Sequence, residues 1–279
     1  GVQFSMSEAV EEVLFEGKKA VGVRTDRGTY PAQSLVINAD FATAMMRLVP
    51  NHLRKKWSDE KIAKKKFSCS TYMMYLGIEG QYDDLAHHTV FIPDDYDKNL
   101  AEIEDQNVLS ADPSFYVQNA CVTDPGMAPK GMSTLYVLVP VTNQCEKIDW
   151  ATERDRFRSV MIKQLEKVAI TGLEERIRYE RIITPLDWST RYELHTGAVF
   201  NLAHNLGQLL NFRPTNRFEE LESVYLVGGG THPGSGLPVI FESARITSRL
   251  LLEDRGAETA WIDETAAPID LDKRLSRVA

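Results

Sequence analysis

A run of apolar residues, Val224-Tyr225-Leu226-Val227, opens into Gly228-Gly229-Gly230-Thr231-His232-Pro233-Gly234-Ser235-Gly236-Leu237-Pro238. Five glycines and two prolines within eleven residues give a backbone that can come very close to a bulky ligand. A helix-patterned run from Val239 to Leu252 follows directly. The free N–H groups and positive dipole end of such a helix would face the loop, where an anion could sit. The chemistry on offer is binding, half of a cofactor cradle. The plainer alternative is a tight Gly/Pro turn between strand and helix.

Several familiar chemistries are excluded by spacing. The dinucleotide fingerprint Gly-x-Gly-x-x-Gly fails from Gly228, where Pro233 takes the last position, and from Gly234, where Val239 does. No Gly-x-x-x-x-Gly-Lys-Ser/Thr occurs. Gly234-Ser235-Gly236 is flanked by Pro233 and Leu237, so it is not a nucleophile elbow. Cys69, Cys121 and Cys145 form no Cys-x-x-Cys pair, which disfavours zinc, iron–sulfur and disulfide frameworks and fits reduced thiols in a cytoplasmic setting. The six histidines show no ligand spacing, and His87-His88, adjacent on a strand, are expected to point to opposite faces. No metal site is expected.

The elements that must position the loop are legible in outline. Val10, Val13 and Phe15 fit a strand, Ala20 to Thr25 a returning strand, and Asp26-Arg27-Gly28 a turn into Thr29-Tyr30-Pro31. Leu35-Val36-Ile37 has the continuous apolar character of a fully buried strand. Asn38-Ala39-Asp40 closes it, at the strand end where open α/β sheets bind ligands; by itself the tripeptide suits a turn or helix cap. His52 to Lys66 reads as a helix whose positive face carries Arg54, Lys55, Lys56, Lys61, Lys64, Lys65 and Lys66. Such a face is ordinarily solvated, and it is also the kind that lies on an anionic membrane, at about 1 kcal/mol per cation.

The middle of the chain reads as a second, mixed domain. Tyr72 to Ile78, Thr89 to Ile92, Ser114 to Val117 and Thr134 to Val139 are strand candidates with an apolar face. Asp149 to Ile170 is the clearest helix, with Phe157, Val160, Met161, Leu165 and Val168 at three- and four-residue steps. The chain is 279 residues with 43% apolar and 26% charged residues, which is folded-protein composition. Its net charge of −8 argues against general nucleic-acid binding. No apolar run is long enough to span a bilayer, and Gly1 to Gly17 does not read as a signal peptide.

The glycine-rich loop, with Phe241-Glu242-Ser243-Ala244-Arg245-Ile246 behind it, resembles the C-terminal flavin-binding motif of the bacterial phytoene desaturase family. These are FAD-dependent carotenoid desaturases, related more distantly to amine oxidases. Val36-Ile37-Asn38-Ala39-Asp40 is similar to that family's Val-Val-x-Asn-Ala-Asp. Ser70-Thr71-Tyr72, Tyr75-Leu76-Gly77, His87-His88, Phe115-Tyr116-Val117, Thr184-Pro185, Gly197-Ala198 and Arg213-Pro214 extend the likeness to roughly Leu252. Val239 departs from it, since many members carry glycine there.

The resemblance implies an α/β (α+β mixed) fold. It comprises an incomplete FAD-binding Rossmann-like domain and a mixed β-sheet substrate domain covered by helices. Residues 1–42 and 216–252 would belong to the flavin domain and 43–215 to the substrate domain, with 253–279 a mobile tail or short surface helix. FAD would contact Val10 (through its backbone at the adenine end), Asn38, Ala39, Asp40, Gly229, Gly230, Thr231, His232, Gly234, Gly236, Leu237 and Pro238. Tyr72, Met74, Phe115 and Tyr136 would line a site for a long apolar polyene, or form ordinary core. The implied reaction is desaturation of phytoene or diapophytoene by hydride transfer to flavin, this chain being the C-terminal part of an enzyme peripheral to the cytoplasmic membrane. The alternatives are a related polyene isomerase, saturase or amine oxidase, or a non-catalytic binding fragment. An amine oxidase would carry aromatic residues near the flavin, and Gly228 to Pro238 supplies none.

Overall fold

The computed structural model describes residues 1–168 and 170–264. In chain order its elements are β1 (Val10–Glu16), β2 (Lys19–Thr25), β3 (Thr29–Pro31), β4 (Leu35–Ile37), α1 (Phe41–Leu48), α2 (Asp59–Ala63), β5 (Ser70–Glu79), β6 (His88–Phe91) and α3 (Tyr96–Ala101). Then follow β7 (Phe115–Asn119), β8 (Met132–Val141), α4 (Trp150–Val168), α5 (Leu173–Arg176), β9 (Ile177–Ile183), α6 (Pro185–Thr190), β10 (Val224–Leu226), α7 (Leu237–Asp254) and α8 (Ala260–Glu264). They fall into two units, one built from Gly1–Lys64 with His204–Ala279, the other from Lys65–Ala203. The fold is of mixed α/β character.

In the first unit, β1, β2 and β3 form an antiparallel sheet in that order. Across the gap in sequence, β10 pairs in parallel with β4, Val224 opposite Leu35 and Leu226 opposite Ile37. The other edge of β10 is held by residues 216–218, through Phe218 N–H to Val224 O (3.0 Å) and Leu226 N–H to Asn216 O (2.8 Å). β10 is fully buried. The expectation of full burial fails for β4. Ile37 is buried but Val36 is 44% exposed, because alternate side chains leave on opposite faces and only one face is covered.

The long basic helix expected over 52–66 does not form. A single 3-10 turn (Asn51–Leu53) and the short α2 replace it. Arg54, expected on a solvated face, is 1% exposed and donates to Val49 O (3.1 Å), Trp57 O (2.5 Å) and the Asp59 carboxylate (2.7 Å). Those carbonyls are satisfied by the guanidinium, which fixes a turn where the sequence pattern reads as continuous helix. The region expected as a tail begins inside α7, and α8 buries Ile262. Residues 265–279, the rest of that tail, lie outside the described residues.

The second unit is a five-stranded antiparallel sheet in the order β6-β7-β8-β5-β9. Strand alternation sends Tyr72, Met74, Leu76 and Ile78 of β5 to one face, where Phe157, Met161 and Leu165 of α4 meet them in one core. That helix lies where the periodicity of its apolar residues predicts. His87 and His88 do not diverge. β6 begins only at His88, so strand alternation does not govern the pair, and their rings lie 4.3 Å apart.

Candidate functional site

The ends of β4 and β10 carry the two glycine-loop neighbours to one place. Val227 N–H donates to Ile37 O (3.1 Å), extending the ladder by one step. The next residues are Gly228 and Asn38. A β-carbon on Gly228, whose φ is +105°, would lie 3.2 Å from Asn38 Oδ1. The chain then doubles back, so that a β-carbon on Gly229 would meet that of Ser235 at 3.1 Å. Gly234 (φ +142°) and Gly236 (φ +114°) stand in backbone conformations that residues with a β-carbon rarely adopt.

The loop is pinned from beneath by buried side chains. Arg213, fully buried, donates to Thr231 O (3.1 Å), Gly229 O (2.7 Å) and Gln208 O (3.4 Å). Burial lowers its pKa to about 10, which still leaves the guanidinium charged at neutral pH. Asn216 donates through Nδ2 to His232 O (2.9 Å), Thr247 Oγ1 (3.0 Å) and Ser243 Oγ (3.1 Å). Ser243 in turn accepts from Gly228 N–H (3.2 Å), and Thr247 donates to Leu226 O (2.7 Å). The signal for these residues was present: Ser243 and Thr247 stand one helical turn apart, two polar residues on the buried side of α7.

His204 closes the loop from the side. Its Nε2 lies 3.2 Å from both the backbone N and the Oγ of Ser235, and 3.0 Å from where a β-carbon of Gly234 would stand. Partial burial, aided by the Arg213 charge, lowers its pKa below the ordinary imidazole value.

The residues expected to hold a cofactor are distributed as follows. Asn38 and Gly229 to Gly236 lie at one strand-end site. Asp40 serves as N-cap of α1, accepting from Thr43 N–H at 2.9 Å. Thr231 is buried and spends its hydroxyl on Pro214 O (2.6 Å). Leu237 is 70% exposed, and Val10 sits at the start of β1 opposite Thr25, in a different sheet from the loop. The first turn of α7 has no side-chain cap and no acidic residue. An 18-residue helix that begins this way presents donors and a positive end to a ligand rich in acceptor oxygens. The donor set therefore fits a phosphate- or carbonyl-bearing cofactor such as FAD.

The residues expected to line a substrate site separate by face. Tyr72, Met74 and Phe115 lie in the helix-covered core, and the Tyr72 hydroxyl donates to Arg154 O (3.0 Å). Tyr136 projects from the opposite face. There its ring meets Tyr75 at 5.4 Å and Tyr116 at 6.0 Å, and Tyr116 continues to His88 through a 2.6 Å hydrogen bond. Partial burial raises the pKa of both Tyr75 and Tyr136, keeping these hydroxyls neutral. Among the described residues no group of histidine, cysteine or carboxylate side chains could hold a metal ion.

No protein-family model matches the chain. It is 41% identical over 275 residues to the 4,4'-diapophytoene desaturase (4,4'-diapolycopene-forming) of Methylomonas sp, an alignment covering 96% of this chain and 54% of that enzyme. It is 41% identical over 260 residues to the all-trans-zeta-carotene desaturase of Myxococcus xanthus, covering 92% and 49%. With the neurosporene-forming phytoene desaturase of Rhodobacter capsulatus it shares 36% over 266 residues, covering 93% and 51%. Among solved structures, an engineered putrescine oxidase matches 89% of this chain and 48% of its own with a TM-score of 0.57 at 12% identity. An oxidoreductase from Methanosarcina mazei matches 86% and 48% with a TM-score of 0.56 at 14% identity, so both show the fold alone. The chain thus spans about half the length of the curated relatives it matches, and with nearly all of its residues so aligned it belongs to the carotenoid (phytoene) desaturase family.

Proposed function

We propose that this chain is the C-terminal part of an FAD-dependent desaturase acting on a carotenoid or apocarotenoid precursor such as phytoene or diapophytoene. The observation that carries the reading is the glycine loop. It leads from the end of β10, beside the end of its parallel partner β4, into an uncapped helix start, in a chain aligned with desaturases over 96% of its length. FAD bound there would supply the acceptor for the hydride leaving a C–H bond of the polyene, which no protein side chain can take, while the neighbouring carbon gives up a proton to water as the double bond forms.

The chain's own residues bind and orient. Asn38, Ala39 and Asp40 approach the cofactor from the end of β4, and Gly229, Gly230, His232, Gly234, Gly236, Leu237 and Pro238 from the loop and helix start. Arg213, Asn216, Ser243 and Thr247 hold the loop's carbonyls and N–H groups, so the cradle is set before the ligand arrives. Val10 contributes backbone at the adenine end. Tyr75, Tyr116 and Tyr136 offer the polyene an apolar, uncharged face, and at about 25 cal/mol per Å2 a long hydrocarbon needs no ionic anchor. Tyr72, Met74 and Phe115 support that face from within the core. A hydrocarbon of this kind resides in lipid, so the proposal includes peripheral contact with the cytoplasmic membrane.

The test is spectroscopic. The complete gene product is purified, its flavin spectrum recorded, and C30 and C40 precursor polyenes are added anaerobically. Bleaching of the flavin with a red shift of the polyene is expected. A complete gene product that contains no flavin and cannot be reconstituted with FAD would overturn the proposal.

A further inference from the structure

We infer that His204 is a positioning residue that latches the glycine loop in its cofactor-closing conformation, and that the latch opens when the imidazole is protonated. The inference rests on the flavin reading above for its consequence, not for its geometry.

Two contacts define the latch. Ser235 donates its backbone N–H to His204 Nε2 at 3.2 Å. A backbone N–H can only donate, so Nε2 must carry the lone pair and the ring proton must reside on Nδ1. Ser235 Oγ lies 3.2 Å from the same nitrogen, and its hydroxyl can turn to donate there as well. If Nε2 takes a proton, the Ser235 N–H loses its acceptor, whereas the hydroxyl can turn to accept instead, so the backbone bond is the pH-sensitive part of the latch.

Ser235 is also the last residue before Gly236, the N-cap of α7. What holds Ser235 therefore sets how the chain enters the helix, and hence where the first-turn N–H groups point. The close packing of Gly234 adds to this. A side chain at 234 would meet Nε2 at 3.0 Å, so glycine is what lets the loop lie against the ring. No hydrogen bond within the loop duplicates the hold: Arg213 and Asn216 pin its 229–232 half, while His204 alone among the described side chains bonds residues 233–236.

The charges around the imidazole favour the acceptor state near neutrality. Arg213, packed under the same loop, is the charged group that acts on it, and the loop presents Ser235 and the Gly234 backbone. Partial burial and the Arg213 charge both disfavour the imidazolium. The folded state therefore binds the proton less readily than the unfolded chain. The latch is present above the ordinary imidazole pKa of 6.5 and is lost as pH falls through the lowered value.

The experiment uses the complete flavin-loaded gene product and two variants. His204→Gln places a non-titrating amide oxygen near the position of Nε2, and His204→Leu fills the space with no acceptor. FAD release is followed by recovery of flavin fluorescence after dilution, between about pH 8 and about pH 5, the span over which an imidazole changes charge. For the wild type, release should quicken by about two- to ten-fold toward acid, the factor for one ordinary hydrogen bond. His204→Gln should be slow and flat with pH. His204→Leu should be fast and flat.

A His204→Leu variant that holds FAD as well as wild type at the alkaline end would overturn the latch. So would a His204→Gln variant that keeps the wild-type pH dependence. Hydrogen exchange of peptides covering residues 229–236 gives a second reading that needs no flavin, and the same pattern is expected there. If the gene product takes up no flavin, the functional proposal fails while exchange still decides the latch. If His204→Leu does not fold, the wild-type and His204→Gln pH profiles decide it.

Discussion

At the scale of single residues, the glycine loop depends on buried side chains that bond its backbone. Arg213 is buried without exposed surface and satisfies three backbone carbonyls of the loop and its approach. Replacing it with methionine leaves those oxygens without donors in a dry environment, at about 1–3 kcal/mol for each one not rescued by water. We expect Arg213→Met to destabilise the first unit by about 2–4 kcal/mol in urea titration and to abolish flavin retention by the complete gene product. The tyrosines separate by face, Tyr72 in the helix-covered core and Tyr136 on the opposite side of the sheet. Tyr72→Ala, in the core, should cost about 3–5 kcal/mol in stability. Tyr136→Leu, on the opposite face, should change stability by less than about 1 kcal/mol while altering KM for the polyene in steady-state assays. Equal loss of stability in both variants would contradict the assignment of faces.

At the scale of elements, two short segments of the first unit are fastened by adjacent carboxylates, Glu220 accepting from Lys56 N–H (2.7 Å) and Trp57 N–H (3.1 Å) and Glu219 from side chains. Glu219 accepts from Lys56 Nζ (2.5 Å), Trp57 Nε1 (3.2 Å) and Thr215 Oγ1 (2.7 Å). Burial on its own would raise its pKa, but these donors prevail and the net shift is downward. The folded state thus binds a proton less readily than the unfolded chain. The stabilisation is present above the usual glutamate value of 4.5 and is lost as pH falls through the lowered one. We expect the stability difference between wild type and Glu219→Gln, measured by urea denaturation, to shrink progressively below about pH 4.5. A difference that stays constant into acid would remove Glu219 as the pH-sensitive fastening group. The same segment shows why charge pattern misled the reading of 52–66. Seven cations resemble a solvated helical face, yet Arg54 spends its donors on local carbonyls and ends the helix.

At the scale of the whole molecule, the two units differ in completeness. The second is continuous in sequence, with its own core between sheet and α4. The first is assembled from two distant stretches and leaves Leu206, Leu210, Phe212, Leu237 and Phe241 between 61% and 90% exposed. Apolar area on that scale forfeits stabilisation at about 25 cal/mol per Å2. Amides of β5 and β8 should therefore exchange far more slowly than those of β10 and α7 in this chain alone, and native-state hydrogen exchange measures it. The chain alone should also bind FAD weakly, with titration by flavin fluorescence giving no stoichiometric complex. A tight yellow complex would show that the loop and strand ends suffice without the remainder of a desaturase-length protein.

The sequence by itself determined the local features. The Gly-Pro loop, the strand before it, the helix after it, the α4 stripe and the alternating strands of the sheet are governed by backbone preference and by periodicity, which a few neighbouring residues specify. It also carried the family, because the loop and the Asn38-Ala39-Asp40 strand end keep recognisable residue order. Only the tertiary structure decided that those two motifs meet, since β4 and β10 pair across nearly the whole chain. It decided too which polar residues hold the loop and which face of β5 is core. Asn216 and His204 have no local pattern to betray them, and the Arg213-Pro214 likeness does not tell what Arg213 holds, because what each does depends on its partners and on burial that exists only once the chain has closed around it.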